Sequence, residues 1–368
     1  MDKLLDKIKV VVLSFVVLSL SVIGIFMPDK EFSDKENRQL LQAPKFNSKK
    51  LVSGEYTGAL GKYVAEQFPF RDLFIGVKAY SELTQLKCEN NGVVYTAGAL
   101  ISKPKNDISR LSENLMCIDY FTKQNNLSVT VAPIPRTADV FSEFLPVGYP
   151  KNKDYNVWVK FRTEAASKEF EFVDLYDSLC DSNAFYRTDH HYTTEGAYLT
   201  YRQLGKSLGY TPYDEKYFNI QCASDSFSGT SMRTSGFYLY KADEIHLYRY
   251  DGDTEYSVVA DGIKAELYDF DKLRQTDKYA VFLGGNHARV DIKSGGHGRE
   301  RLLVIRDSFA DSLAPFLALH FDVTLIDLRY FTDSVAKVCR EENINKVLVL
   351  ENIDELCSAR NLSYLRMK

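Results

Sequence analysis

No C-x-x-C pair occurs among the six cysteines (Cys88, Cys117, Cys180, Cys222, Cys339 and Cys357), so neither a zinc knuckle nor a thioredoxin-like redox site is written in this chain. Outside the cell they could form disulfides, with several in the core as free thiols, and their spacing does not choose a pairing. There is no Lys/Arg-rich block beyond the first few residues and the net charge is −4, which argues against nucleic acid as a partner. No internal repeat, low-complexity tract or sign of bulk disorder is present.

What is present is a globular composition over 368 residues, enough for one large core or two smaller ones. It begins with an apolar run, Val10 to Met27, of 18 residues without a charge. That length is close to the roughly 20 residues a helix needs to cross a bilayer. Lys3, Lys7 and Lys9 on its near side predict a cytoplasmic N-terminus and an extracytoplasmic body. No clear A-x-A-type cleavage site follows, so an uncleaved signal anchor is favoured over a removed signal peptide. The expected organisation is an anchor helix at 1–28, a polar stalk at 29–58 and a folded body at 59–368.

Apolar periodicity from Leu60 to Leu86 predicts two helices meeting at Pro69. Short strands follow around Gly98, then a helix at Asp107–Asn125, a buried strand at Leu127–Ile134, a helix at Tyr155–Lys168, a strand at Phe170–Leu175 and a helix at Glu195–Leu208. The segment at about 218–268 is strand-rich and tyrosine-rich and reads as an insertion. Alternation returns with Tyr279–Ile292, Arg301–Phe321, a strand at Val323–Leu328, a helix near Ser334–Glu342 and a strand at Lys346–Leu350. This pattern predicts an α/β layer fold with a mostly parallel sheet.

Arg301–Phe321 (RLLVIRDSFADSLAPFLALHF) reads as a strand, a turn at Arg306-Asp307-Ser308 and a helix. A serine at such a turn has an exposed hydroxyl beside unpaired helix N–H groups, the setting of a nucleophile and its oxyanion site. Ser308 or Asp307 also suits a plain N-cap. A nucleophilic serine needs a base and an orienting acid, and Asp189-His190-His191 is the densest titratable cluster. In an extended segment Asp189 and His191 share a face, with Asp189 as orienter and His191 as base. The same triplet suits an exposed loop, a helix-capping aspartate, or a metal site, for which no partner Asp motifs are found and which His287 and His297 do not support by spacing. Gly284-Gly285-Asn286 offers close backbone approach and an oxyanion donor, or simply a Gly-Gly turn. Arg329-Tyr330 ends the strand after the serine helix, near the edge where ligands bind parallel sheets. Arg329 there either binds a carboxylate, polarises an acyl carbonyl, or closes a salt bridge.

Glu36-Asn37-Arg38, Phe68-Pro69-Phe70-Arg71, Thr188-Asp189-His190-His191-Tyr192-Thr193 with Gly196-Ala197, Phe282-Leu283-Gly284-Gly285-Asn286, Asp307-Ser308-Phe309 with Pro315-Phe316, and Asp327-Leu328-Arg329-Tyr330 occur in that order. This set resembles the DHHW protein family, itself similar to the SGNH-hydrolase-like alginate O-acetyltransferases. The resemblance implies a three-layer SGNH-hydrolase-like domain with permuted motif order and a triad of Asp189, His191 and Ser308, with Gly285, Asn286, Arg329 and Tyr330 near substrate or oxyanion. Tyr192 stands where the family name expects tryptophan, and Arg306 where GDS-type esterases have glycine. The resemblance further implies a serine O-acetyltransferase on a cell-surface or secreted polysaccharide; with no coenzyme A outside the cell, such a transferase would need a membrane-bound O-acyltransferase partner as acetyl donor, and no cofactor or metal is expected. An acetylesterase of the same fold, or a non-catalytic glycan-binding or assembly protein, are the rival expectations.

Overall fold

The computed structural model describes residues 2–33, 38–149, 157–180, 184–295 and 299–367. The chain divides into two compact units, one of Met1–Lys87 with Arg233–Tyr238, the other of Cys88–Met232 with Leu239–Lys368.

In the first unit the apolar N-terminus is one helix, Asp2–Phe26. Its stretch Leu4–Phe26, with mean hydropathy 2.6, is long and apolar enough to cross a membrane, a test that a signal sequence also passes. The expected stalk is not a free tether. Phe32–Ser33 and Arg38–Gln39 pair antiparallel, and Asn47 caps a short helix at Ser48–Val52. Polar groups fasten it to the helix Glu55–Glu66 and the residue that ends it: Leu41 N–H donates to Glu66 at 2.6 Å, Tyr63 Oη to Asp29 at 2.8 Å and Gln67 Nε2 to the Lys30 carbonyl at 2.9 Å. The second helix, Arg71–Thr84, starts two residues after Pro69, as the proline dictates. The second compact unit begins at Cys88.

The second unit is built on an eight-stranded sheet. Its strands are β1 (Ser128–Val131), β2 (Glu171–Phe172), β3 (Ser257–Ala260), β4 (Ile263–Ala265), β5 (Arg289–Lys293), β6 (Arg301–Arg306), β7 (Asp322–Ile326) and β8 (Lys346–Leu350). The spatial order is β4-β3-β5-β7-β6-β8-β1-β2. From β7 to β2 all pairings are parallel, and β4, β3 and β5 extend the sheet antiparallel. The mostly parallel α/β expectation holds, and the insertion resolves into two parts. Asn219–Phe227 and Asp243–Arg249 form a separate hairpin, whereas β3 and β4 belong to the main sheet. Likewise Tyr279–Ile292 is a 3₁₀ turn, Lys278–Val281, followed by the antiparallel strand β5 rather than another helix–strand step.

Side-chain alternation along β6 makes the third layer. Leu302 and Val304 enter one core with Ala310, Leu313 and Phe316 of the helix Phe309–Leu317, while Leu303 and Ile305 enter another with Val335 and Val347. A strand buried on both faces is unbroken in hydrophobicity, which is why LLVI reads as one apolar run.

Near the start of β7 a column of rings stacks on His320: Tyr210 at 4.4 Å and 14°, Tyr213 at 5.4 Å and 20°, and Tyr217 on Tyr213 at 4.2 Å. Burial pushes the His320 imidazole down to about 4. A histidine held neutral in the fold binds fewer protons than in the unfolded chain, so its contribution is present above pH about 6.5 and is lost as pH falls toward 4. His320→Gln, which keeps an acceptor for Tyr201 Oη (2.8 Å from Nε2), is expected to flatten the Tm–pH curve in that window. Thermal melts at intervals of pH test it.

Candidate active site

Ser308 sits between β6 and the helix Phe309–Leu317 in right-handed helical geometry (φ −66°, ψ −12°), and its side chain makes no capping bond. Asp307 takes the capping work. Its Oδ1 accepts from Phe309 N–H at 3.0 Å and its Oδ2 from Asn352 N–H at 2.7 Å, so both oxygens are fixed. Burial raises this carboxyl above the usual range despite those bonds. Ser308 Oγ is thereby left for another partner, and its own N–H has no acceptor among the described residues.

That partner is His191, whose Nε2 lies 2.6 Å from Ser308 Oγ across 117 residues of sequence. His191 Nδ1 lies 2.6 Å from Asp189 Oδ1. The segment is not extended as expected. Phe185 bridges Tyr192 antiparallel, and between them the chain turns, with His191 N–H donating back to Asp189 Oδ1 at 3.0 Å. An aspartate accepting from the backbone two residues on is an Asx-turn, and it brings the two side chains together more directly than a strand face would. Burial acts to raise the Asp189 carboxyl, but the neighbouring His190 and His191, with the bonds from His191 and Thr230, hold it well below the usual carboxylate range.

Each member is held in turn. Tyr279 stacks on the His191 ring at 4.0 Å and 8°, and its Oη bonds the Ser308 carbonyl and Ser312 at 3.2 and 3.0 Å. Asp189 Oδ2 accepts from Thr230 N–H at 2.6 Å. Asp243 accepts from both the N–H and the hydroxyl of Thr188, at 2.7 and 2.6 Å. Gly229 passes so close that a Cβ there would lie 2.3 Å from Asp189 Cβ and 2.5 Å from the Thr188 carbonyl. Gly229→Ala is therefore expected to destabilise the fold by about 1–3 kcal/mol. It should also lengthen the Asp189–His191 bond, seen as an upfield move of the Nδ1 proton in NMR; an unmoved resonance would show that the loop yields instead.

Asp189, His190 and His191 also place three ligand atoms within 4.8 Å of one another. Asp189 Oδ1 is engaged by His191 and Oδ2 by Thr230, and both His191 nitrogens are already paired. His297 lies outside the described residues, and His287 bonds Asp261 at 3.0 Å beside a different cavity.

Ser308 opens into a cavity of about 240 Å³ that also touches His190, Arg136, Thr137, Arg329 and Asn352. His190 apart, these residues follow β6, β1, β7 and β8, all at the carboxyl edge of the parallel strands. Arg329 is forked onto Asp327 at 2.9 and 2.6 Å, and Nη1 has no partner among the described residues. Gly285, Asn286 and Tyr330 do not line this cavity. Asn286 is exposed, Gly285 adopts φ +111° in its turn, and Tyr330 is half exposed with the Arg329 guanidinium 5.5 Å over its ring. Sequence reasoning missed Arg136, Asn352 and Tyr279. The edge rule that singled out Arg329 applies equally to Arg136 after β1 and Asn352 after β8.

Arg306 does not line the cavity either. It is fully buried, and its Nη1 stands 2.8 Å from Asp311 Oδ1. The contact is an ion pair rather than an aligned hydrogen bond, since neither atom finds a well-directed partner. Burial pushes the Asp311 carboxyl up to about 7, with Arg306 pulling the other way.

The fold is a mixed α/β one with a parallel-rich sheet, like that of SGNH-hydrolase-like domains. The chain matches the DHHW protein family over residues 166–326 and the "SGNH hydrolase-like domain, acetyltransferase AlgX" over residues 95–226, so the DHHW resemblance read from the sequence is borne out. Among solved structures it is similar to a DHHW family protein from Eubacterium siraeum, at 19% identity and TM-score 0.60, covering 76% of this chain and 96% of that one. It is also similar to Bacillus cereus PatB1 carrying a sulfonyl adduct, at 19% identity and TM-score 0.63, covering 75% and 98%. No curated protein matches the chain.

Proposed function

We propose that the chain is a serine O-acetyltransferase, held at the membrane by its N-terminal helix with the body outside, that acetylates a cell-surface or secreted polysaccharide. The observation that carries this reading is the relay Ser308–His191–Asp189, with both links at 2.6 Å. The AlgX domain match supports acetyl transfer as the reaction class.

In this mechanism His191 Nε2 accepts the Ser308 hydroxyl proton as Oγ attacks the acetyl carbonyl of the donor. Asp189 fixes the imidazole tautomer and stabilises the imidazolium. The oxyanion is met by the Ser308 N–H, with the unengaged Nη1 of Arg329 on the cavity wall. Collapse breaks the donor C–O bond, and His191 returns the proton to the leaving oxygen. A sugar hydroxyl then gives its proton to His191, attacks the acetyl-serine and restores Ser308. Outside the cell an acetyl group has no coenzyme A to come from, so a membrane-bound O-acyltransferase is the proposed supplier.

Purified full-length chain in detergent, given an aryl acetate with and without oligosaccharide acceptors, tests the reading by product. Acetylated sugar is expected. Free acetate alone, undiminished by acceptor, would make the protein an esterase; neither product, together with intact binding of the oligosaccharide, would make it a glycan-binding protein.

A further inference from the structure

The hairpin Asn219–Phe227/Asp243–Arg249 carries a second cluster of ligating side chains, which the acetyl-transfer reading does not use. Cys222 and His246 are register partners across the two strands. Glu244 is two residues from His246 on the same strand, so all three side chains share one face. That face is the outer one. Cys222 and Glu244 are exposed and His246 is half-buried, while the alternate residues Ile245 and Leu247 point into the core.

Cys222 Sγ, a His246 ring nitrogen and a Glu244 carboxylate oxygen lie within 4.8 Å of one another, with His246 Nε2 3.5 Å from Glu244 Oε2. Ligands bound tetrahedrally at about 2.0–2.3 Å from zinc stand roughly 3.3–3.8 Å apart. The His–Glu pair already has that spacing, and the cysteine needs only a side-chain rotation on an exposed strand. Cys222 is a free thiol with no hydrogen-bond partner among the described residues.

We propose that Cys222, Glu244 and His246 form a binding site for one Zn²⁺ ion, with water at the fourth position. A thiolate, an imidazole and a carboxylate together suit a borderline-soft cation; calcium and magnesium would want oxygen ligands throughout. On binding, the Cys222 S–H bond breaks, the proton leaves to solvent and the thiolate pair forms the Zn–S bond. The ion joins the two strands of the hairpin near its middle. The inner ends of the same strands deliver Asp243 to Thr188 at 2.6 Å, and the turn after Phe227 delivers Thr230 N–H to Asp189 at 2.6 Å. Metal on the outer face thus stiffens the support of the candidate triad without touching it.

Co²⁺ titrated into the full chain is the probe, because a cobalt–thiolate bond gives a near-ultraviolet charge-transfer band and intense visible bands at tetrahedral geometry. One equivalent is expected to produce both, and Zn²⁺ to bleach them. Cys222→Ser should remove the charge-transfer band. His246→Gln should weaken binding by more than the roughly 10–100-fold that loss of an outer-shell partner costs. Ser308→Ala should change neither, and far-UV circular dichroism should show all variants folded. No thiolate band in the wild type would overturn the proposal. So would a band that survives Cys222→Ser, or binding lost only with His190→Ala, which would put the ion at the Asp189–His191 cluster.

Discussion

Ser308→Ala is expected to abolish covalent capture of a sulfonylating reagent and to lower acetyl transfer by at least about 10³-fold while leaving the fold intact. Ser308 makes no capping bond, so the substitution removes only the contact to His191. Asp307, which does the capping, is untouched. His191→Ala should cost about as much as Ser308→Ala, and the double variant little more, because groups acting as one unit are not additive. Intact-protein mass spectrometry after exposure to an arylsulfonyl fluoride reads the first result, and product analysis the second. Unchanged labelling of Ser308→Ala would place the nucleophile elsewhere. Labelling retained by His191→Ala at the wild-type rate would remove the histidine from its role as base.

Arg306→Met should destabilise the protein by about 3–5 kcal/mol, the cost of leaving one member of a buried ion pair uncompensated. Both side chains are almost wholly buried, at 0 and 3% exposure, so solvent does not rescue Asp311 when its partner is gone. Arg306→Met/Asp311→Leu should recover most of the loss, since well-packed apolar replacement of a buried pair is often neutral or better. The pH dependence has a definite sign. A carboxyl raised from 3.8 to about 7 in the fold binds more protons there than in the unfolded chain. Its contribution is full below pH about 4 and is lost as pH rises through about 7. Arg306→Met should carry that loss to higher pH, and the double variant should lack it. Denaturant melts across this range measure both effects; equal stability of the single and double variants would show that the pair is not coupled.

The same residue marks how far the sequence could be read. β8, the serine strand and the helix after it are legible because their apolar runs and caps are local facts. That Asp189 and His191 meet Ser308 follows from no local pattern, and it was reached through the needs of a nucleophile and a family resemblance. Arg306 looked like a defect in the oxyanion turn because the sequence shows a charge where a glycine is common. Only tertiary placement shows it turned inward to Asp311. The Gly284-Gly285-Asn286 turn failed as a pointer for the opposite reason: its positive φ values, +82° and +111°, are explained by the turn itself, and the turn does not reach the Ser308 cavity. The stalk misled because its polar composition fits a tether equally well as a segment pinned by side-chain to backbone bonds.

β8 has one more consequence. It follows both neighbours in sequence, yet it lies between β6, which leads to Ser308, and β1, which leads to Arg136. Until residues 346–350 arrive, the two halves of the parallel sheet have no common neighbour, and Asn352 is not there to pin Asp307. Joining the two halves therefore needs residues 346–350 to pair with 128–131, a contact of long sequence separation of the kind that slows folding.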